Sequence, residues 1–265
     1  MKKRYKIIIS FIVGILVISF IWFDLFFWSG NNKIFENSLR ESAQNNEVII
    51  IFNSGGFGTV KPDQAWDFKP LIEGLQFSIE NLGYSVEVVP YYRTEDSWLG
   101  KAAYIKEILF NFPKESSYLA KTLENFSKQN PREIIILAGL SNGATFTEST
   151  MQKINCCTDK IFSIEFGLPF WSQRQNRSNT LYLTNNDRDA VSNGNILALS
   201  WSILKAPFVM SYTRIAGRPI SFPEAMDVPG HQYYWSEVEP QISNFIREKI
   251  GQNSYINLFF FSYLA

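Results

Sequence analysis

The amino-acid sequence predicts an α/β fold with a doubly wound, mostly parallel sheet. The first observation behind this is alternation. Apolar runs of strand type take turns with segments whose apolar residues recur at helical spacing, over ~200 residues. The second is the make-up of the strand runs. Glu47-Val48-Ile49-Ile50-Ile51-Phe52 and Glu133-Ile134-Ile135-Ile136-Leu137-Ala138 are apolar and β-branched after their first residue, as buried strands are. The third is size. The 265 residues, 46% of them hydrophobic, suffice for one large domain with a sizeable core and exclude global disorder.

The N-terminal segment is read apart from this domain. Residues 1–6 carry Lys2, Lys3, Arg4 and Lys6 and form a basic cytoplasmic segment. Residues 7–23 are uncharged and almost wholly apolar, and with residues 25–28 the stretch is broken only by Asp24. A helix over 7–28 would be about 33 Å long at ~1.5 Å per residue, about the thickness of the hydrocarbon layer. Trp22 and Trp28 suit an interfacial belt, and the cations hold the N-terminus in the cytoplasm. The segment is therefore expected to be a single-pass signal anchor, with the domain on the extracytoplasmic side. Cleavage and secretion are the alternative. Against them, Trp28-Ser29-Gly30 places Trp where a cleavage site wants a small residue.

Residues 29–46, rich in Asn, Ser and Glu, read as a juxtamembrane linker or short helix. The domain occupies 47–250. Its first strand, 47–52, is stopped by Asn53-Ser54-Gly55-Gly56-Phe57-Gly58. Residues 64–82 carry Trp66, Phe68, Leu71, Leu75, Phe77, Ile79 and Leu82 at helical spacing, and Gly83 stops that helix. A strand over 84–90 follows, left by Tyr91-Tyr92-Arg93. Residues 115–129 read as a helix that ends before Pro131. Then come a strand at 133–138, a helix from 143 to 154, a strand at 160–166 and a strand at 180–184. A helix at 194–205, a last strand at 207–213 and a closing helix at 236–250 complete the domain. The tail, 251–265, is apolar but too short to span a bilayer.

Composition excludes several function classes. Net charge is zero, and the four N-terminal cations leave the rest of the chain net negative by four, so no nucleic-acid partner is expected. Cys156 and Cys157 are adjacent, a spacing that strains a disulfide, and none is expected. With one histidine and no spaced cluster of ligating residues, no metal site is expected, and no cofactor.

The chemistry-bearing residues lie in three places. A strand-type run ends in Gly139-Leu140-Ser141-Asn142-Gly143, and helix-compatible sequence follows. In that context a serine sits on a sharp turn with its hydroxyl exposed. The only histidine, His231, lies in Val228-Pro229-Gly230-His231. Between the two, the strand at 180–184 leads into Asn185-Asn186-Asp187-Arg188-Asp189-Ala190-Val191. A serine hydroxyl is a poor nucleophile near neutral pH. It needs a base within hydrogen-bond reach, and that base needs an orienting acid. Ser141, His231 and Asp189 are the candidates for these roles, with Asp187 as the alternative acid. The backbone N–H of Asn142 is one candidate donor to an oxyanion. The others are Gly56 and Phe57, in the glycine-rich loop after the first core strand.

These residues resemble the α/β-hydrolase fold, specifically its esterase- and lipase-like serine hydrolases. The resemblance covers about residues 47–250. It rests on Gly-x-Ser-x-Gly, the Asp-x-Val after a strand and the Gly-His loop, in the order Ser, Asp, His. Gly83-Tyr84-Ser85-Val86-Glu87-Val88-Val89-Pro90 is similar to the strand after that family's first helix. Asn53-Ser54 stands where many members have His-Gly. The resemblance implies a domain without a large lid, and hydrolysis of a carboxylic ester, thioester or amide of a small acyl substrate through an acyl-enzyme on Ser141. A transacylase, a peptidase or a non-catalytic binding or scaffold protein on the same fold are the alternatives. Phe166-Gly167-Leu168-Pro169-Phe170-Trp171 would line an acyl pocket or merely cap the core edge.

Overall fold

The computed structural model describes residues 29–94, 100, 112–185, 188–220 and 222–251. The expected basic segment and anchor at 1–28, Asp187 and all but the first residue of the tail lie outside these. Five strands form one sheet: β1 (Val48–Asn53), β2 (Val86–Pro90), β3 (Ile134–Leu140), β4 (Ile161–Phe166) and β5 (Thr180–Leu183). Their order is β2-β1-β3-β4-β5 and every pairing is parallel. The chain builds outward from β1 to β2, then crosses to β3 on the other side of β1. The topological switch point therefore lies between β1 and β3, the crevice where parallel α/β sheets place their sites.

The helices are α1 (Ser29–Ser42), α2 (Lys69–Glu80), α3 (Glu115–Gln129), α4 (Asn142–Met151), α5 (Ile196–Ile215), α6 (Phe222–Met226) and α7 (Trp235–Lys249), with a 3-10 turn at Pro62–Gln64. Alternate residues of each strand feed two cores. Ile50, Phe52, Ile136 and Ala138 pack with α2 and α7 on one face. Ile49, Ile51, Ile135 and Leu137 pack with α1, α3 and α4 on the other. Every residue of β1, β3 and β4 is buried, which explains the lack of polar alternation in β1 and β3, while β4 carries Ser163 and Glu165 two positions apart and buries both. Burial of each large apolar side chain is worth about 1.5–3 kcal/mol.

Of the two readings of 29–46 the helix is the one formed, because Phe35 and Leu39 give α1 a face that packs on the sheet. Three sequence readings change. The expected helix at 64–82 begins only at Lys69. Pro62 and Pro70 each open a helical segment, and the chain turns between them. The strand expected at 84–90 pairs only from Val86. The largest change is at 207–213, read as a last strand. These residues are the second half of α5, which runs through Pro207. Their exposed large apolar residues, Phe208, Tyr212 and Ile215, repeat every three to four positions and continue Leu197, Trp201 and Leu204. That period is helical and not the period of two a strand needs. Proline removes one hydrogen bond there without ending the helix.

Candidate active site

Ser141 stands between β3 and α4 with φ +55° and ψ −118°, outside the ordinary regions for a residue with a Cβ. The two glycines of the motif permit this turn. A Cβ on Gly139 would lie 2.5 Å from the Gly143 carbonyl oxygen, and one on Gly143 would lie 2.1 Å from the Asn53 carbonyl oxygen. Neither space exists, so α4 can approach β1 and β3 this closely only with glycine at both positions. The Ser141 N–H donates to the Phe166 carbonyl at 2.9 Å and ties the turn to the end of β4.

Gly167, the next residue along that edge, faces the other two groups. A Cβ there would lie 2.8 Å from both Asp189 Oδ2 and His231 Cε1. Its φ of +60° again suits glycine. The Phe166–Gly167 edge thus touches the serine turn on one side and the histidine and its acid on the other.

His231 Nδ1 and Asp189 Oδ2 are 2.9 Å apart. Asp189 is fully buried, and every bond it accepts serves to fix it. Oδ1 accepts from the Val191 N–H at 2.8 Å, and Oδ2 accepts from the hydroxyls of Tyr233 at 2.8 Å and Ser192 at 3.0 Å. Burial by itself would raise this carboxyl. The bond and charge of His231 and the bonds from Tyr233 and Val191 outweigh that, and its pKa lies below the ordinary value. Tyr233 moves the other way. Its burial first, and then the Asp189 carboxylate beside it, push its hydroxyl far above the usual range, so it stays a donor. An ionised acid that accepts at Nδ1 leaves Nε2 of a neutral imidazole as the acceptor.

The acid and histidine loops are joined by their backbones. Ala190 N–H donates to the Pro229 carbonyl at 3.0 Å. The Asn185 side chain donates to the carbonyls of Gly230 at 2.8 Å and Gln232 at 3.3 Å. Gly230 has φ +71°, and a Cβ on it would meet the Arg188 carbonyl oxygen at 2.2 Å.

The loop after β1 lies over the serine. A Cβ on Gly55 would be 3.9 Å from Ser141 Cβ, and Asn142 Nδ2 is 3.5 Å from the Gly56 carbonyl oxygen. Gly56, with φ +56°, and the half-exposed Phe57 sit at the bend of this loop. Arg93, which sequence reasoning left unassigned, crosslinks the region. Its guanidinium is buried. Nη1 donates to the Asn142 carbonyl at 3.0 Å, Nη2 donates to the Ser54 carbonyl, and its backbone N–H donates to the Gly58 carbonyl at 3.1 Å. The rings of Phe112 and Phe146 lie 5.6 Å from the guanidinium carbon. A Cβ on Gly58 would strike Arg93 Nε at 2.5 Å, so the loop closes on the arginine because residue 58 has no side chain.

In the apolar run that begins at the end of β4, Phe166 and Leu168 join the core, while Phe170 and Trp171 are exposed with ring centroids 5.1 Å apart. Tyr233, Ser192 and Asn185 were also missed by sequence reasoning. The signal available was only their closeness in sequence to His231 and Asp189. Among the described residues no group of three metal-ligating side chains occurs.

No family model and no curated protein matches the chain. Among solved structures it is similar to a Trichoderma reesei cutinase in complex with a C11Y4 phosphonate inhibitor. The identity is 15%, the match covers 82% of this chain and 88% of that chain, and the TM-score is 0.44.

Proposed function

We propose that the chain is a membrane-tethered serine hydrolase that cleaves a carboxylic ester through an acyl-enzyme on Ser141. The observation that supports this best is the 2.9 Å contact between His231 and a fully buried Asp189, on the edge to which the strained Ser141 turn is tied. Buried, charged and strained groups persist where the surrounding structure holds them in place, and such groups cluster at reacting sites.

In this reading Ser141 Oγ attacks the ester carbonyl while its proton passes to His231 Nε2. The resulting imidazolium is stabilised by Asp189 at Nδ1. The tetrahedral oxyanion takes N–H donors from Asn142 and from Gly56 or Phe57, each worth about 3 kcal/mol in comparable sites. Collapse breaks the bond to the alkoxy group, which leaves with the proton from Nε2. Water then attacks the acyl-enzyme by the same route, and Ser141 regains its proton as the acid departs. The full-length protein in detergent should be labelled by a fluorophosphonate probe, and Ser141→Ala should abolish the labelling. A folded wild-type protein that resists the probe, or labelling that survives the substitution, would count against the proposal.

Arg93 acts in this reading as a positioning residue. Arg93→Lys keeps the charge but cannot bond two carbonyls at once with a planar fork. The oxyanion loop and the serine turn should then drift apart, lowering kcat by roughly 10–100-fold with KM little changed. Thermal melting of the variant reports separately on any loss of stability. An unchanged kcat would remove the arginine from this role.

Residues 7–28 are proposed as the tether, with the domain outside the cytoplasm. The full-length protein should resist extraction by carbonate. Protease admitted through a permeable outer envelope should cut the domain while the inner membrane is intact. Protection until that membrane is lysed would reverse the orientation.

A further inference from the structure

Helix α5 is predominantly apolar, yet only Ser202 and Ala206 are buried. A helix of that composition is normally enclosed by protein or lipid. It forms an excursion between the acid and the histidine. Asn195 at its start bonds back to Ala190, and Asp227 on the return bonds to Ser202 and Lys205. Its solvent side carries Leu197, Trp201, Leu204, Phe208, Tyr212 and Ile215, spaced by four, three, four, four and three residues. At 3.6 residues per turn these form one stripe about 30 Å long. Leu197 is 84% exposed, Phe208 77% and Ile215 88%. A continuous apolar stripe of this size is larger than isolated surface residues account for.

Two further observations indicate what covers it. Residues 190–223 contain Lys205, Arg214 and Arg218 and no acid. Lys205 is paired with Asp227, while Arg214 and Arg218 lie at the distal end. Cations flanking an apolar helical stripe suit an anionic lipid surface. The second observation is where the N-terminal segment joins the domain. Asn32 near the start of α1 accepts from the Tyr91 hydroxyl at 3.4 Å, and Tyr91 directly follows the C-terminal end of β2. Just past the other end of the helix, Asn46 donates to Glu87 near the beginning of β2. Helix α1 therefore runs against the strands, and its start lies toward the same sheet edge that carries Ser141, His231 and the root of α5.

We propose that the exposed stripe of α5 lies in the interface of a phospholipid bilayer, with Arg214 and Arg218 against anionic headgroups. The catalytic edge then faces the membrane, and the acyl substrate is one presented at or in a lipid surface. This substrate class rests on the hydrolase reading, and the edge-on orientation rests on the anchor reading. The contact of α5 with lipid is measured independently of both.

Single cysteines are introduced in the full-length protein by Leu197→Cys, Phe208→Cys and Tyr212→Cys, with Phe77→Cys on α2 as a control, in a Cys156→Ser/Cys157→Ser background. Each is labelled with a nitroxide and bound to vesicles of phosphatidylcholine containing phosphatidylglycerol. Power saturation then compares exposure to oxygen with exposure to a water-soluble nickel chelate. The three stripe sites should gain oxygen exposure and lose nickel exposure when vesicles are added, while Phe77→Cys stays open to nickel. Stripe sites that remain open to nickel overturn the proposal. Protection from both agents means that protein covers the stripe, and spin–spin broadening means that a second copy does. Either also overturns it. Carbonate extraction on the same samples separates the readings. Protein that is extracted but still shows lipid-embedded stripe sites keeps this inference and loses the anchor. Protein that stays but shows nickel-open sites does the reverse.

Discussion

Replacing Ser141 by alanine is expected to abolish ester hydrolysis while leaving the domain folded. The fall in kcat should approach about 10⁶-fold, because nucleophile, base and acid act as one unit and the remaining donors supply only a residual effect. His231→Ala should give a loss of similar size, and the double variant should be hardly worse than either. Folding should survive because Ser141 makes its positioning contacts through its backbone, to Phe166 and Thr145. A third substitution separates function from stability. Ser141 holds φ +55° with a side chain present, a strain on the order of 1 kcal/mol. Ser141→Gly should therefore raise the melting temperature while it removes activity. Release of alcohol from a chromogenic ester, read beside thermal unfolding, checks all four variants. Activity retained by Ser141→Ala would move the nucleophile elsewhere, and a Ser141→Gly variant that melts lower would deny the strain.

What was legible in the sequence was whatever depends on local pattern. Strands β1 and β3 declared themselves because burial on both faces leaves no room for polar residues. The serine turn was legible because its two glycines answer to contacts within a few residues or with the neighbouring strand. Asp189 was separable from Asp187 only as a preference, since both leave the same strand. It is the structure that puts Asp189 on His231. Arg93, Asn185 and Tyr233 were not legible. Their partners lie 39 to 49 residues away in sequence, as for Arg93 with Ser54 and Asn142, and no local spacing encodes such a contact. The second half of α5 was misread for the opposite reason. Pro207 and β-branched or aromatic neighbours imitate a strand boundary, and only the period of the exposed residues, taken across the proline, marks a helix.

Asp189→Asn should reduce kcat by about 10⁴-fold although it changes neither size nor shape. The reason lies in the donors around the carboxylate. The Val191 N–H at 2.8 Å from Oδ1 requires an acceptor at that position. The asparagine oxygen must therefore take the place of Oδ1 and its amide nitrogen that of Oδ2. The hydroxyls of Tyr233 and Ser192 can turn to accept from that nitrogen, but His231 Nδ1 then also faces a donor. The imidazole is driven to the tautomer protonated at Nε2, which cannot take the Ser141 proton. The same substitution should alter acid stability. The native carboxyl titrates below its ordinary value, and the unfolded one near ~3.9. Above that unfolded value the ionised network contributes its full stability. As pH falls, the unfolded state takes up the proton first, and the contribution is lost through the native pKa. Wild type should therefore lose stability in this window more steeply than Asp189→Asn, which has no proton to bind. Denaturant unfolding at a series of acid pH values measures the two slopes. Parallel slopes would show that the carboxyl is not held ionised by His231 and Tyr233. A small loss of kcat would show that the tautomer of His231 is set elsewhere.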